Sequence, residues 1–371
     1  MALPSSPGQR HPPPPGTRPA CTYAGRVPLA LQRDDLESLA RGFAMLGAGG
    51  AGSPHLSALV LENSATWPIT VHSPAELDPD RPCIAVGYGG STFLLEEQLP
   101  GLDPFGPAIR AIERWLGVED AVICSIEAAG INGLANLQLA GSRDLVDADC
   151  MGRALPDFDQ LSVLVDGLPG IVAAASAGPG GVAVVEGARP RDVERVIRTA
   201  IECNGGWAGT AFGGFTVGDL HAHAMTGTVA RALAIGRASA DAIRADLPAL
   251  ADSLGGRLLG TGRVIDARHE RTAPGVVSFE VQADDGAVLR LVARSELVAL
   301  VRNGVVVAAT PTIIVALDAT TMAVLEVDQV AVGKDLVLLS LPAPAWWLAS
   351  PSRRRQAEAI HWGIEGLEET G

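Results

Sequence analysis

Two short stretches hold the side chains best suited to chemistry: EAAGIN at 127–132 and VDADCMGRALPD at 146–157. Glu127 with Asn132 offers an acid or base beside a side-chain amide, a pairing suited to activating water while hydrogen-bonding a polar heterocycle. Asp147 and Asp149 add two more carboxylates. Clustered acids raise one another's pKa, so one can stay protonated while another acts as base. We expect only one of the two aspartates to face a ligand, the other orienting backbone or Arg153. The Arg153 guanidinium is expected to hold a carboxylate bidentately, of the substrate or in an internal Asp–Arg pair. Cys150 is a candidate thiolate nucleophile. The alternative is a small core residue, since no histidine is near it in sequence.

Other candidates rest on weaker patterns. The glycine loops GAGGAGSP (47–54) and GYGGS (87–91) could present N–H groups of Gly49, Gly50, Gly89 and Gly90 to an oxyanion or carboxylate. GAGGAG follows a helical pattern rather than a strand, against a dinucleotide-binding reading. His221 and His223 form an H-x-H pair near Asp219. On a strand both could face one metal, but no third ligand is evident and a chance pairing on a loop face is the better reading. No G-x-S-x-G elbow and no G-K-[ST] phosphate loop occur.

The elements that must position these groups read as an α/β layer followed by β structure. A helix carries Leu36, Leu39, Phe43 and Leu46 inward, with Asp34 as cap, and a second follows Ser53-Pro54. Strands are expected from Cys83, over 121–127 and over 144–149. The last two enclose the short helix after Glu127, a small βαβ unit with parallel strands. Glu127 and the aspartates then sit at strand carboxyl ends, where ligands bind open α/β sheets; the alternative is that they merely cap helices. Helices are expected over about 105–116, with Ile109, Ile112 and Trp115 inward, over 190–203, with Val193, Val196, Ile197, Ala200 and Ile201 inward, and over 227–246. Strands broken by AGPGG are expected over 161–187, and NGGWAGTAFGG (204–214) reads as a loop. Residues 257–345 alternate apolar and polar around DDG and RNG turns, as a β-rich unit does.

The expected organisation is therefore a disordered proline-rich extension over 1–26 and an α/β domain over 27–254, with a parallel or mixed sheet and the site. A smaller β-rich domain over 255–350 and a tail over 351–371 follow. The chain has 371 residues and a formal net charge of −14. That charge argues against nonspecific nucleic-acid binding and against docking on anionic lipid. Five widely spaced cysteines without C-x-x-C exclude a disulfide framework and a cysteine zinc site, and fit reduced thiols in a cytoplasm. No unbroken apolar run is long enough for a membrane helix, and the N-terminus lacks a signal peptide's apolar segment.

Four segments occurring in order carry a resemblance: LARGFAMLGAGGAGSP, GGSTFLLEEQLPG, EAAGIN and VDADCMGRALPD. With GTVARALAIGRA (227–238), SELVALVRNGVVVAATPTIIVALD (295–318) and VGKDLVLLSLPAPAWW (332–347), they resemble the S-methyl thiohydantoin desulfurase family over roughly residues 28 to 350. The resemblance implies a two-domain protein acting on a hydantoin-like ring: water attacks ring C2, methanethiol leaves and a hydantoin forms. The family motif maps onto Glu97, Glu127, Asn132, Asp147, Asp149, Gly152, Arg153 and Pro156. It departs at Ser53, Gln98, Asp157 and Thr312, where the family usually has Asp, Lys, Glu and Asp, and these departures bear on which substrate is taken. The expected base is Glu127 or Asp149, with Asn132, Glu97 and the glycine loops as ring-binding groups. Family genes often lie beside hydantoinase subunits, so a non-catalytic metabolite-binding or hydantoinase-complex partner is the alternative. A third reading is a metal-dependent cyclic amide hydrolase. No cofactor is required, although a divalent metal on His221 or His223 fits that third reading; a homo-oligomer is expected.

Overall fold

The computed structural model describes residues 27–98, 100–101, 103–176, 181–241, 246–270 and 275–367. The extension expected over residues 1–26 lies outside the described residues. So do the AGPG break and residues 242–245, the end of the helix expected to reach 246.

Nine strands form the first sheet: β1 (Leu29–Leu31), β2 (Ile69–His72), β3 (Pro82–Gly90), β4 (Val122–Ser125), β5 (Leu145–Asp149), β6 (Val172–Ser176), β7 (Val182–Glu186), β8 (Trp207–Thr216) and β9 (Met225–Thr226). Their order is β1-β2-β5-β4-β3-β8-β6-β7, with β9 paired to β5. The β2, β5, β4 and β3 strands run parallel, and β8 enters antiparallel beside β3. The sheet is therefore mixed, with the expected parallel β4/β5 pair at its middle. All nine residues of β4 and β5 are buried, because helices cover both faces of a parallel strand pair.

The helices here are α1 (Leu36–Leu46), α2 (His55–Ser64), α3 (Thr92–Glu97), α4 (Gly106–Leu116), α5 (Asn132–Ala135), α6 (Ser162–Val165), α7 (Pro190–Cys203), α8 (Leu220–His223) and α9 (Thr228–Asp241). A 3-10 turn over Arg33–Asp35 precedes α1, so Asp34 does not cap it. Trp115 and Val196, expected inward, are exposed on α4 and α7; each lies at the edge of its helix's apolar stripe. Residues 162–165 are helical rather than strand.

Two glycine-rich segments depart from the loops expected of them. GYGG is the end of β3, and WAGTAFGG lies inside β8 at the centre of the sheet. Glycine there answers close approach: a Cβ on Gly87 would stand 2.4 Å from the Ile126 side chain.

The second sheet is antiparallel throughout: β10 (Arg257–His269), β11 (Val277–Ala283), β12 (Val288–Ala293), β13 (Leu297–Arg302), β14 (Val305–Ala309), β15 (Ile313–Asp318) and β16 (Asp335–Leu341). DDG and RNG turn the β11/β12 and β13/β14 hairpins as expected. Alternation lets β15 and β16 serve two cores. Ile313, Val315, Leu339 and Leu341 join the α/β core, whereas Ile314, Ala316, Leu336 and Leu338 pack inside the second sheet.

Helices α1 and α9 lie against one another through two glycines. A Cβ on Gly42 would stand 1.9 Å from the Ala232 carbonyl oxygen, and one on Gly236 1.7 Å from that of Ser38. This contact fixes α1, which leads into the 47–54 loop, against α9, whose first turn meets β5. Gly236→Ala should force the helices apart and destabilise the protein by about 1–3 kcal/mol, read as a lower Tm. An unchanged Tm would count against the contact.

Candidate active site

The carboxyl ends of β3 and β4 open into a cavity of about 160 Å³. Gly50, Tyr88, Glu127, Asn132, Trp207 and Glu296 line it, among others. The second sheet thus contributes one wall, through Ser295 and Glu296 between β12 and β13.

Glu127 lies two residues beyond β4 and is 7% exposed. Its turn is tied by Ser125, whose hydroxyl lies 2.7 Å from the Glu127 carbonyl and accepts from the Glu127 N–H. Asn132 Nδ2 donates to Glu127 Oε1 at 2.8 Å. The same amide donates to the Tyr88 carbonyl and accepts from the Tyr88 N–H at 2.6 Å. Asn132 is therefore a bracket joining Glu127 to β3. Burial pushes the Glu127 pKa up to about 8; the Asn132 bond opposes this and nearby Glu296 adds to it.

Asp147 and Asp149, two apart on β5, share a face, as a strand's period of two requires; neither lines the cavity, although one of them was expected to face a ligand. Both meet the start of α9. Asp147 accepts from the N–H groups of Val229 and Ala230 at 2.7 and 3.2 Å, an anion at a helix N-terminus. Burial still raises its pKa to about 6, against those N–H groups. Asp149 Oδ1 accepts from the N–H groups of Met151 and Gly152 and so shapes the turn after β5. Its Oδ2 lies beside Thr228, and neither Oδ2 nor the Thr228 hydroxyl completes a hydrogen bond of normal geometry. Burial raises the Asp149 pKa as well. Asp149 is fully buried behind the cavity wall.

Arg153 is 1% exposed and grips neither aspartate. Its Nε donates to the Ala154 carbonyl, and Nη1 reaches the Thr310 hydroxyl and the carbonyls of Pro311 and Thr312 at 3.1, 3.3 and 2.8 Å. Burial lowers its pKa to about 10, which Glu296 and Glu127 oppose. Arg153 thus ties the β5 turn to the loop entering β15.

The remaining candidates are dispersed. Cys150 is fully buried beside Cys124, and that contact, with burial, raises its thiol pKa well above the ordinary value, so it carries no thiolate near neutral pH. Gly89 and Gly90 line the cavity within β3. Gly50 lines it too, but its N–H is spent on the Gly47 carbonyl, and the Gly49 carbonyl accepts from Val327. Glu97 is exposed at the end of α3. His221 and His223 fall on the helical turn α8, not a strand, where positions two apart diverge. His221 is exposed, and His223 Nδ1 lies 2.6 Å from Asp166. Among the described residues, Asp157, Asp159 and His361 bring ligand-type atoms within 4.8 Å of one another. Asp157 already accepts from Arg294 and Trp362.

The sequence reading missed Glu296, Trp207 and Tyr88. The acid in SELVALV, opening an apolar run as Glu127 closes one in AVICSIE, was the available signal.

Two consequences are measurable. Arg153→Met keeps apolar bulk but strands the 310–312 acceptors and leaves Glu296 without its cation. Denaturant unfolding should show a loss on the order of 3–5 kcal/mol; a loss below about 1 kcal/mol contradicts the clamp. Glu127 binds its proton more tightly folded than unfolded, so its contribution falls as pH rises from 4.5 toward about 8. Glu127→Gln should flatten that decline by up to roughly 1.4 kcal/mol per pH unit; an unaltered pH dependence contradicts the raised pKa.

Residues 34–187 match the S-Me-THD-like N-terminal domain and residues 188–362 the S-Me-THD-like C-terminal domain. That division separates β8 from β3, its neighbour in the sheet. The chain is similar in fold to a protein from Chromobacterium violaceum known from its X-ray crystal structure. The TM-score is 0.76 and the identity 22%, over 92% of this chain and 99% of that one. No curated protein matches the chain. With family domains matched along nearly its whole described length, the chain belongs to the S-Me-THD-like family, whose members resemble S-methyl thiohydantoin desulfurase.

Proposed function

We propose that the protein hydrolyses a hydantoin-like ring bearing a thioether at C2. Water adds to C2, the C–S bond breaks, and methanethiol and a hydantoin are released. The observation that carries this reading is a buried carboxyl, Glu127, aimed into a cavity sized for a small heterocycle and fixed by Asn132. With its pKa raised to about 8, Glu127 is mainly protonated near neutral pH. It can donate to the ring nitrogen next to C2, which makes C2 electrophilic, and recover a proton when C2 becomes a carbonyl. Ile126, Ile131, Met151 and Leu155 line the cavity and suit the faces of a ring and a methylthio group. Asp149, the other base candidate, lies behind the wall and acts by holding the 150–153 turn.

Two departures from the family pattern touch this cavity. Gln98 accepts from the indole of Trp207, a lining residue, at 3.0 Å. Asp157 also lines it, held by Arg294 and Trp362. These positions are where the ring substituent would be discriminated.

Purified protein given S-methyl thiohydantoins should release free thiol, followed with a thiol reagent. Glu127→Gln should lower kcat by roughly 10²–10⁴-fold. Binding without thiol release from the wild type would instead identify a metabolite-binding protein.

A further inference from the structure

The hydrolysis above needs a second group to take the proton from water, and Asp149 does not reach the cavity. Glu296 does. It is 4% exposed, lines the same cavity as Glu127 and comes from the other sheet. The fold makes a specific allowance for it. A Cβ on Gly50 would stand 2.5 Å from Glu296 Cγ and 2.8 Å from the Glu296 N–H nitrogen. The Leu297 N–H donates to the Ala48 carbonyl at 2.8 Å. The loop 47–52, which reads in sequence as an anion cradle, is the seam that lets this acid in.

We infer that Glu296 is the second catalytic carboxylate, and that Glu296 and Glu127 share one proton across the boundary between the two sheets. This rests on the hydrolytic reading of the site. The groups around the pair define its charge. Glu296 faces Arg153, Asp157, the Ser295 hydroxyl at 3.0 Å and Glu127. Glu127 faces Asn132, Glu296, Asp149 and the Leu155 N–H. The fully buried guanidinium of Arg153 sits among the acids and favours the ionised form of Glu296 against burial, and Arg198, half-buried in the cavity wall, pairs with Asp157 at 3.5 Å. Two carboxyls in one closed site do not both ionise freely.

Glu296 carboxylate takes a proton from water as the oxygen bonds C2. Glu127 carboxyl gives its proton to the ring nitrogen, which receives the C=N electron pair. In collapse, the C2 hydroxyl returns a proton to Glu127, the C–S pair leaves with sulfur, and Glu296 protonates the thiolate. The pair ends as it began.

The test needs no substrate. Protein labelled with ¹³C at glutamate carboxyls is titrated by NMR. In Glu296→Gln the Glu127 carboxyl should titrate at least one pH unit lower than in the wild type; in Glu127→Gln the Glu296 carboxyl, which ionises while Glu127 still holds its proton, should titrate no lower but lose the second inflection that the ionisation of Glu127 imposes on it. Titrations unchanged in either folded variant overturn the shared proton; if one variant does not fold, the reciprocal variant decides. Should the wild type turn over S-methyl thiohydantoin, Glu296→Gln should remove the acidic limb of the kcat profile and Glu127→Gln the alkaline limb. Loss of kcat with both limbs kept would reduce Glu296 to a positioning residue. Coupled titrations without any turnover would leave the pair standing and sink the substrate instead.

Discussion

A guanidinium sealed from water is the constraint around which this protein is arranged. Arg153 cannot shed its charge cheaply, so every direction it points must supply an acceptor. It finds them in the carbonyls of Ala154, Pro311 and Thr312 and in the Thr310 hydroxyl, which in turn donates to the Ala357 carbonyl. One side chain thereby joins the β5 turn, the entry to β15 and the helix after residue 350. The acids follow from it: Glu127 and Glu296 can be buried in one cavity because a positive charge lies within reach of both.

Around that charge, the backbone supplies the precision. Asp149 spends an oxygen on the turn that carries Arg153. Asp147 fastens the start of α9 to β5, and α9 lies directly on α1 through Gly42 and Gly236. The 47–54 loop then meets the second sheet at Gly50. Three of the polar residues that look catalytic in the sequence, Asp147, Asp149 and Arg153, spend their polar atoms on the start of α9, the turn after β5 and the loop entering β15. For the proposed hydrolysis such fixed geometry matters, because a reacting group displaced by about an ångström loses much of its effect.

The family match covers both halves of the chain, and a solved structure of similar fold shares 22% identity with it. Two departures from the resembled motif touch the cavity: Gln98 supports the lining residue Trp207, and Asp157 is held by Arg294 and Trp362. Ser53 contributes only a long contact to the His55 N–H, and Thr312 serves through its carbonyl, so those two departures act on the scaffold.

Local pattern determined much of this protein. Period-two and period-3.6 alternation fixed the α/β order, the parallel β4/β5 pair, α7 over Pro190–Cys203 and the hairpins at DDG and RNG. The strand-end position of Glu127 was equally legible, since a buried run ending in an acid has few other readings. Glycine was the misleading signal: in GYGG and WAGTAFGG it marks close packing inside strands, and in GAGGAG a seam, because lack of a Cβ serves tight turns and tight contacts alike. What only the tertiary structure decided is which acids share a space. Glu127 and Glu296 are far apart along the chain, and Asp149 is near one of them in the fold yet walled off from the cavity. No local pattern encodes that difference, because it depends on how two sheets meet across Arg153.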